Sequence, residues 1–196
     1  MNDFGTFEWP SFQWSEETIR GIEDKYTTFK EEIRAEEWRN YDKGQVIEDI
    51  CRILIHFKVA FRREATCKNP KRLYRYDYYL PEYKLLLEFD GPAHYDWTFY
   101  KRPNEYRGIT PPSEDECKVL LENTKANDRA KELYAKELGL SLCRITKQDN
   151  SELKEIIYNI IRVMEMKHNE HKSLDEIKKE LDPKFDISRY FKVLEN

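Results

Sequence analysis

Two β-prone runs, Tyr74 to Leu80 and Tyr83 to Asp90, meet at Pro81-Glu82, and carboxylates recur along them at Asp77, Glu88 and Asp90. Aromatic and leucine side chains on both sides of a proline turn constrain this stretch to a hairpin. If the connecting loop is even-numbered, residues whose numbers sum to an odd value such as 163 or 165 stand opposite one another. Asp77 then shares a face with Leu86, Glu88 and Asp90, while Leu85, Leu87 and Phe89 take the other face. Three carboxylates on one face repel one another unless a cation sits among them. Hard oxygen donors at the ends of adjacent strands suit Mg²⁺ or Mn²⁺, whose remaining positions water and phosphate fill. On alternation alone, a solvated polar sheet face is the simpler account.

The rest of the chain supplies what such a hairpin needs for burial. Val46, Ile47, Ile50, Ile53, Leu54 and Phe57 form an apolar stripe at helical spacing, predicting an amphipathic helix over Lys43 to Phe57. Val59-Ala60-Phe61 predicts a strand, followed by a turn-rich basic stretch at Cys67-Lys68-Asn69-Pro70. Gly91, Pro92, Pro103, Gly108, Pro111 and Pro112 forbid a long element between residues 91 and 112. Ser113 before Glu114-Asp115-Glu116 predicts a capped helix that runs to Gly139, and Leu140 to Ile145 a buried strand. On that helix Thr124, Asp128 and Lys131 share one face, away from Ala130, Leu133 and Leu138.

The resulting order is αβββαβ, an α/β (α+β) core with a mixed central sheet over residues 41–149. Residues 1–40 are expected as an aromatic arm (Phe4, Phe7, Trp9, Phe12, Trp14) and a helix beginning near Ser15. Residues 150–196 are expected as a helical extension, from the spacing of Leu153, Ile156, Ile157, Ile160, Ile161 and Met164 and then of Leu174, Ile177 and Leu181.

Composition narrows the classes. The longest apolar run falls far short of the ~20 residues that span a bilayer, mean hydropathy is −0.89, and Met1 to Gly5 lacks the basic start of a secretory leader. The expected location is intracellular: cytoplasm, or a nucleus or virus factory. Cys51, Cys67, Cys117 and Cys143 form no C-x-x-C pair, so they predict reduced thiols rather than a zinc ribbon or disulfide scaffold. Net charge is −4, yet residues 41–76 hold 9 basic and 4 acidic residues. Arg62, Arg63, Lys68, Lys71, Arg72 and Arg75 make this stretch a candidate phosphate-contacting surface; a solvated loop accounts for the charge equally well.

Six segments occur in order: Gly44-Gln45, Phe61-Arg62-Arg63-Glu64, Arg75-Tyr76-Asp77-Tyr78-Tyr79-Leu80-Pro81, Leu87-Glu88-Phe89-Asp90-Gly91-Pro92-Ala93-His94, Asp128-Arg129-Ala130-Lys131 and Leu142-Cys143-Arg144-Ile145. From about Lys43 to Ile145 the chain resembles the PD-(D/E)XK nuclease superfamily, in its branch similar to very-short-patch-repair, restriction-like and phage-type endonucleases. The resemblance implies a restriction-endonuclease-like core and metal binding by the carboxylates of Asp77 and Glu88 with the carbonyl of Phe89. It also implies Asp90 in place of the superfamily's usual lysine, so the positive group that steadies the reacting phosphate must come from elsewhere; Lys131 is the candidate. Gln45 stands where the branch has a glutamate, a neutral and poorer ligand. The D-G-x-x-H context marks His94 as a general acid or a contact to the scissile phosphate. Asp128 belongs to the same helix motif and is grouped with the nucleic-acid-facing residues. Arg144 is either an ion-pair partner of a site carboxylate or a phosphate contact.

The expectation is therefore a Mg²⁺- or Mn²⁺-dependent endonuclease acting on nucleic acid, DNA before RNA, with no membrane partner and an open oligomeric state. The alternative from another class is a nucleic-acid-binding or assembly protein on a nuclease fold whose catalysis has decayed, suggested by Gln45 and the acidic total.

Overall fold

The computed structural model describes residues 43–69, 72–101 and 110–194. The expected arm and first helix, and Lys71, lie outside them; of Gln45, Lys68 and Arg72 only the backbone is described. Helix α1 (Lys43–His56) buries Val46, Ile50, Ile53 and Leu54, the stripe its spacing predicts. It ends where Val59 N–H bonds Leu54 O (2.9 Å) and Lys58 N–H bonds Ile55 O (2.9 Å), with Lys58 left-handed at φ 58°. That is a Schellman-type closure. Because it uses the N–H of Val59, the expected strand at Val59–Phe61 does not form there.

The strand begins later, at Arg62, and runs on through Cys67 to Asn69, into the stretch expected as a turn. Strand β1 (Arg62–Asn69) pairs antiparallel with β2 (Arg72–Leu80), from Arg62↔Tyr79 to Asn69↔Arg72. Ladder bonding to a strongly β-prone neighbour outweighs the weak strand preference of Lys and Asn. The pairing skips Glu64 and Asp77, and Glu64 is left-handed at φ 48°. There the side-chain alternation breaks: Tyr74 and Tyr76 pack on one side of the sheet, Tyr78 and Leu80 on the other.

A 3-10 turn at Pro81–Tyr83 leads into β3 (Leu85–Asp90), paired as Tyr78↔Leu87, Tyr79↔Leu86 and Leu80↔Leu85. The odd-sum register predicted for the hairpin holds. The segment after β3 forms short 3-10 turns at Pro92–His94 and Trp97–Tyr100. Helix α2 (Glu114–Glu137) starts on a complete Ser113/Glu116 capping box and gives way at Gly139, φ 65°. Strand β4 (Ser141–Thr146) then runs parallel to β3 over six residue pairs.

The sheet order is β1-β2-β3-β4, with a fifth strand, β5 (Phe191–Val193), beside β4. Leu85, Leu87, Phe89, Cys143 and Ile145 face α1 and α3 (Leu153–His168), whereas Leu86 and Leu142 meet Ala135 of α2. Residues beyond 150 are more than helical. After α4 (Leu174–Glu180) and α5 (Ile187–Tyr190), β5 (Phe191–Val193) pairs antiparallel with β4, and Ile177, Leu181, Ile187, Tyr190 and Phe191 join the α1/α3 core. A three-residue strand is too short to carry a periodicity that a sequence reading can detect. No helix among the described residues is long and apolar enough to cross a membrane.

Candidate active site

The inward face of α2 has apolar ends and a polar middle. Cys117, Leu121 and Ala135 are buried, and between them at the same helical spacing come Thr124, Asp128 and Lys131. Leu133, on another face, is 65% exposed. This helix thus gives up apolar burial in its middle turns to present charge to the sheet.

Opposite that stripe, β3 and β4 present Glu88 beside Arg144, which are neighbours in the parallel ladder. The Arg144 side chain, 4% exposed, sits among four carboxylates. Nη1 donates to Asp90 Oδ1 (2.9 Å) and Oδ2 (3.1 Å) and lies 3.2 Å from Asp128 Oδ1; Nη2 is 3.1 Å from Glu88 Oε2, and Nε is 3.5 Å from Glu132 Oε1. The ion-pair reading of Arg144 is the one this geometry supports. Lys131 Nζ bonds Glu88 Oε1 and also lies 5.2 Å from the centroid of the Tyr76 ring. Tyr76 in turn donates its hydroxyl to the Lys131 carbonyl at 3.0 Å, tying the helix to β2. The break in alternation at Asp77 is what turns Tyr76 toward α2.

Asp77 stands where β2 and β3 part company. Its Oδ2 accepts the backbone N–H of Phe89 at 2.8 Å, so the carboxylate takes the place of a ladder partner beyond the last paired residues. His94 Nδ1 is 2.8 Å from Asp128 Oδ2 and 3.6 Å from Asp90 Oδ1. The Tyr100 hydroxyl donates to Ala93 O (2.8 Å) and meets Thr124 Oγ1 (2.7 Å), pinning the His94 turn to α2.

The electrostatics follow from this packing. Burial pushes the Glu88 carboxyl above its ordinary value, and Lys131 and Arg144 offset only part of that. Burial also acts to raise Asp128, but the His94 hydrogen bond and Arg144 outweigh it and hold that carboxyl below the usual aspartate value. For Arg144 burial opposes the charge, and Asp90, Glu88 and Asp128 together overcome it, so its pKa rises. The repulsion expected among the hairpin carboxylates is thus answered by two cations of the chain itself.

Asp77, Glu88, Asp90, His94, Asp128 and Lys131, proposed from motifs spread over 55 residues of sequence, come together here. Phe89 contributes its N–H, while its ring is buried in the core on the opposite face. Of the basic residues, Arg62, Arg63 and Arg75 are exposed on β1 and β2, and Arg63 pairs with Glu48 of α1 at 2.7 Å. Sequence reasoning missed Glu132 and Tyr76 as site neighbours and Asp128 as the partner of His94. The spacing of Glu132, one turn after Asp128, is a signal that could have marked the first.

Among the described residues, no three His, Cys, Asp or Glu side chains group as a metal cage. Two carboxylates with water and phosphate are nevertheless a usual Mg²⁺ environment, and both oxygens of the buried Glu88 already face cations, Lys131 at Oε1 and Arg144 at Oε2. The donor chemistry of Asp77 and Glu88 therefore fits a hard divalent cation. Comparison with protein-family models, with curated proteins and with solved structures gave no match.

Proposed function

We propose that this protein is a divalent-metal-dependent phosphodiesterase that cleaves nucleic acid, a DNA endonuclease of the PD-(D/E)XK type on a restriction-endonuclease-like core. The observation that carries the reading is the contact of Lys131 with Glu88 beside Asp77. A carboxylate pair on a hairpin and a lysine from a helix, 43 residues beyond Glu88, meet where β2 and β3 part within the sheet. The motif resemblance supports it independently.

In this reading Asp77 and Glu88 hold the cation, which when bound supplies an acidified water and a Lewis acid for phosphate oxygen. Lys131 brings a point charge to the reacting phosphate. Asp128, held ionised, accepts the Nδ1–H of His94, which fixes the tautomer and leaves Nε2 as the nitrogen that exchanges a proton with substrate. Arg144 holds Asp90, Asp128 and Glu88 at fixed separation, and the exposed basic residues of β1 and β2 offer further phosphate contacts.

The second reading, a binding or assembly protein with decayed catalysis, is favoured by one observation: Glu88 already carries two internal cations. Incubation with labelled single- and double-stranded DNA and RNA in Mg²⁺, Mn²⁺ or EDTA separates the two. Hydrolysis that EDTA stops, and that Asp77→Asn and Glu88→Gln both lose, is the expected result. Retention of substrate without cleavage under every condition would favour the second reading.

A further inference from the structure

Resting on the metal-dependent reading, we propose that Lys131 and the divalent cation are mutually exclusive occupants of Glu88. Lys131 is an exchangeable internal counter-ion that the metal displaces, and Arg144 is the fixed counter-ion that stays. Metal loading then does two things at once: it fills the carboxylate site and releases an ammonium group beside it.

The difference between the two cations is structural. Arg144 is 4% exposed and is held by Asp90 and Asp128 as well as Glu88, so its place does not depend on Glu88. Its planar fork is matched to carboxylates on several sides. Among the described residues Lys131 pairs with one carboxylate, Glu88 at Oε1, on a four-carbon stem with freely turning bonds. It is 15% exposed, and the face of the Tyr76 ring 5.2 Å away offers a second seat for an ammonium group. The helix need not move for this exchange, because Tyr76 holds the Lys131 backbone carbonyl rather than its side chain.

Charge gives the direction. Among the described residues, Glu88, Asp90, Asp128 and Glu132 face Lys131 and Arg144 as permanent cations, and Asp77 adds another carboxylate nearby. Replacing a single positive charge at Glu88 by a double one moves this layer toward neutrality. A divalent ion on Glu88 Oε1 takes the oxygen that Lys131 holds and repels its ammonium group, whereas Arg144 sits on Oε2 and is retained by Asp90 and Asp128. Displacement of Lys131 frees Glu88 Oε1 for the incoming ion, while Oε2 keeps Arg144 Nη2 at 3.1 Å.

The test needs no turnover. Mn²⁺ binding is measured by titration calorimetry at fixed pH and salt for the full chain, Lys131→Met, Lys131→Gln, Lys125→Met and Asp77→Asn. Removal of the competing ammonium should tighten Mn²⁺ binding by about tenfold or more in both Lys131 variants. Lys125, whose partner is the exposed Glu122, should leave affinity unchanged when replaced, and Asp77→Asn should weaken it. A measurement on the unaltered chain stands independently of variant folding: acetylation of Lys131 by acetic anhydride, read by mass spectrometry, should rise severalfold on Mg²⁺ addition while that of Lys125 does not. Mn²⁺ binding that is equal or weaker in the Lys131 variants, or Lys131 reactivity unmoved by saturating Mg²⁺, overturns the exchange and leaves the metal reading standing. Absence of Mn²⁺ binding in the unaltered chain and in both Lys131 variants overturns the metal reading itself.

Discussion

The Asp77 carboxylate accepts the Phe89 backbone N–H at 2.8 Å, so one side chain both bridges the parting strands β2 and β3 and presents charge at their edge. The two roles separate by substitution. Asp77→Asn keeps an oxygen for the Phe89 N–H and should leave urea stability within about 1 kcal/mol of the parent, while removing the charge that a cation needs. Asp77→Ala leaves the N–H without that acceptor and should cost about 1–3 kcal/mol. Equal stabilities for the two variants would show that the bridge contributes nothing.

Arg144 and Glu88 are neighbours, yet their removal should have unequal consequences. Arg144→Met strips the buried layer of its fixed cation and leaves its carboxylates facing one another, with an expected loss of about 3–5 kcal/mol in chemical denaturation. Glu88→Gln keeps a polar side chain for Lys131 and Arg144 and relieves an excess of negative charge, so a change under about 1.5 kcal/mol is expected. A larger loss from Glu88→Gln than from Arg144→Met would invert the assigned roles.

The two perturbed carboxyls should act in opposite senses on the pH dependence of stability. Asp128 is depressed on folding, so its contribution is present above the ordinary aspartate value of 3.8 and lost as pH falls through its lower folded value. Glu88 is raised on folding, so its contribution is present below 4.5 and lost as pH rises through its higher folded value. Denaturation across pH 3 to 7 should therefore show Asp128→Asn flattening the acid-side loss and Glu88→Gln gaining stability, relative to the parent, as pH rises.

Lys131→Met should lower cleavage turnover by ~10²-fold or more while changing substrate affinity little, because the charge is needed chiefly where the transition state develops it. Lys125, 41% exposed and paired with Glu122 at 2.9 Å, is the control on the same helix. Equal losses from Lys125→Met would indicate a general field rather than a positioned group.

The basic hairpin makes a separate prediction. Alanine at Lys68, Lys71 and Arg72 should weaken nucleic-acid binding and flatten the plot of log affinity against log salt by up to about 3 units, if all three neutralise phosphates. Preference among sequences should change little. An unchanged slope would return this stretch to an ordinary charged surface.

Much of the framework is legible in residues close together in the chain. The odd-sum hairpin register, the stripe of α1, the Ser113 cap and the glycine after α2 all follow from backbone repeats of two and 3.6 residues and from local hydrogen bonding. The position of β1 did not, because Arg62–Asn69 is a strand by virtue of its pairing with β2 rather than its own preference. Nor did β5, which is short and depends on β4 for its bonds.

In the site the same division holds. From the sequence come the carboxylates at Asp77, Glu88 and Asp90 and a polar face at Thr124, Asp128 and Lys131, because spacing within one element sets which side chains stand together. Only the tertiary structure decided that this polar face of α2 turns inward while Leu133 turns out, and that Lys131 meets Glu88 while Arg144 serves Asp90, Asp128 and Glu88. Those pairings join residues 43 and 54 positions apart. They are set by the packing of α2 across β3 and β4, where the cost of burying each charge must be met by whichever opposite charge the fold brings within reach.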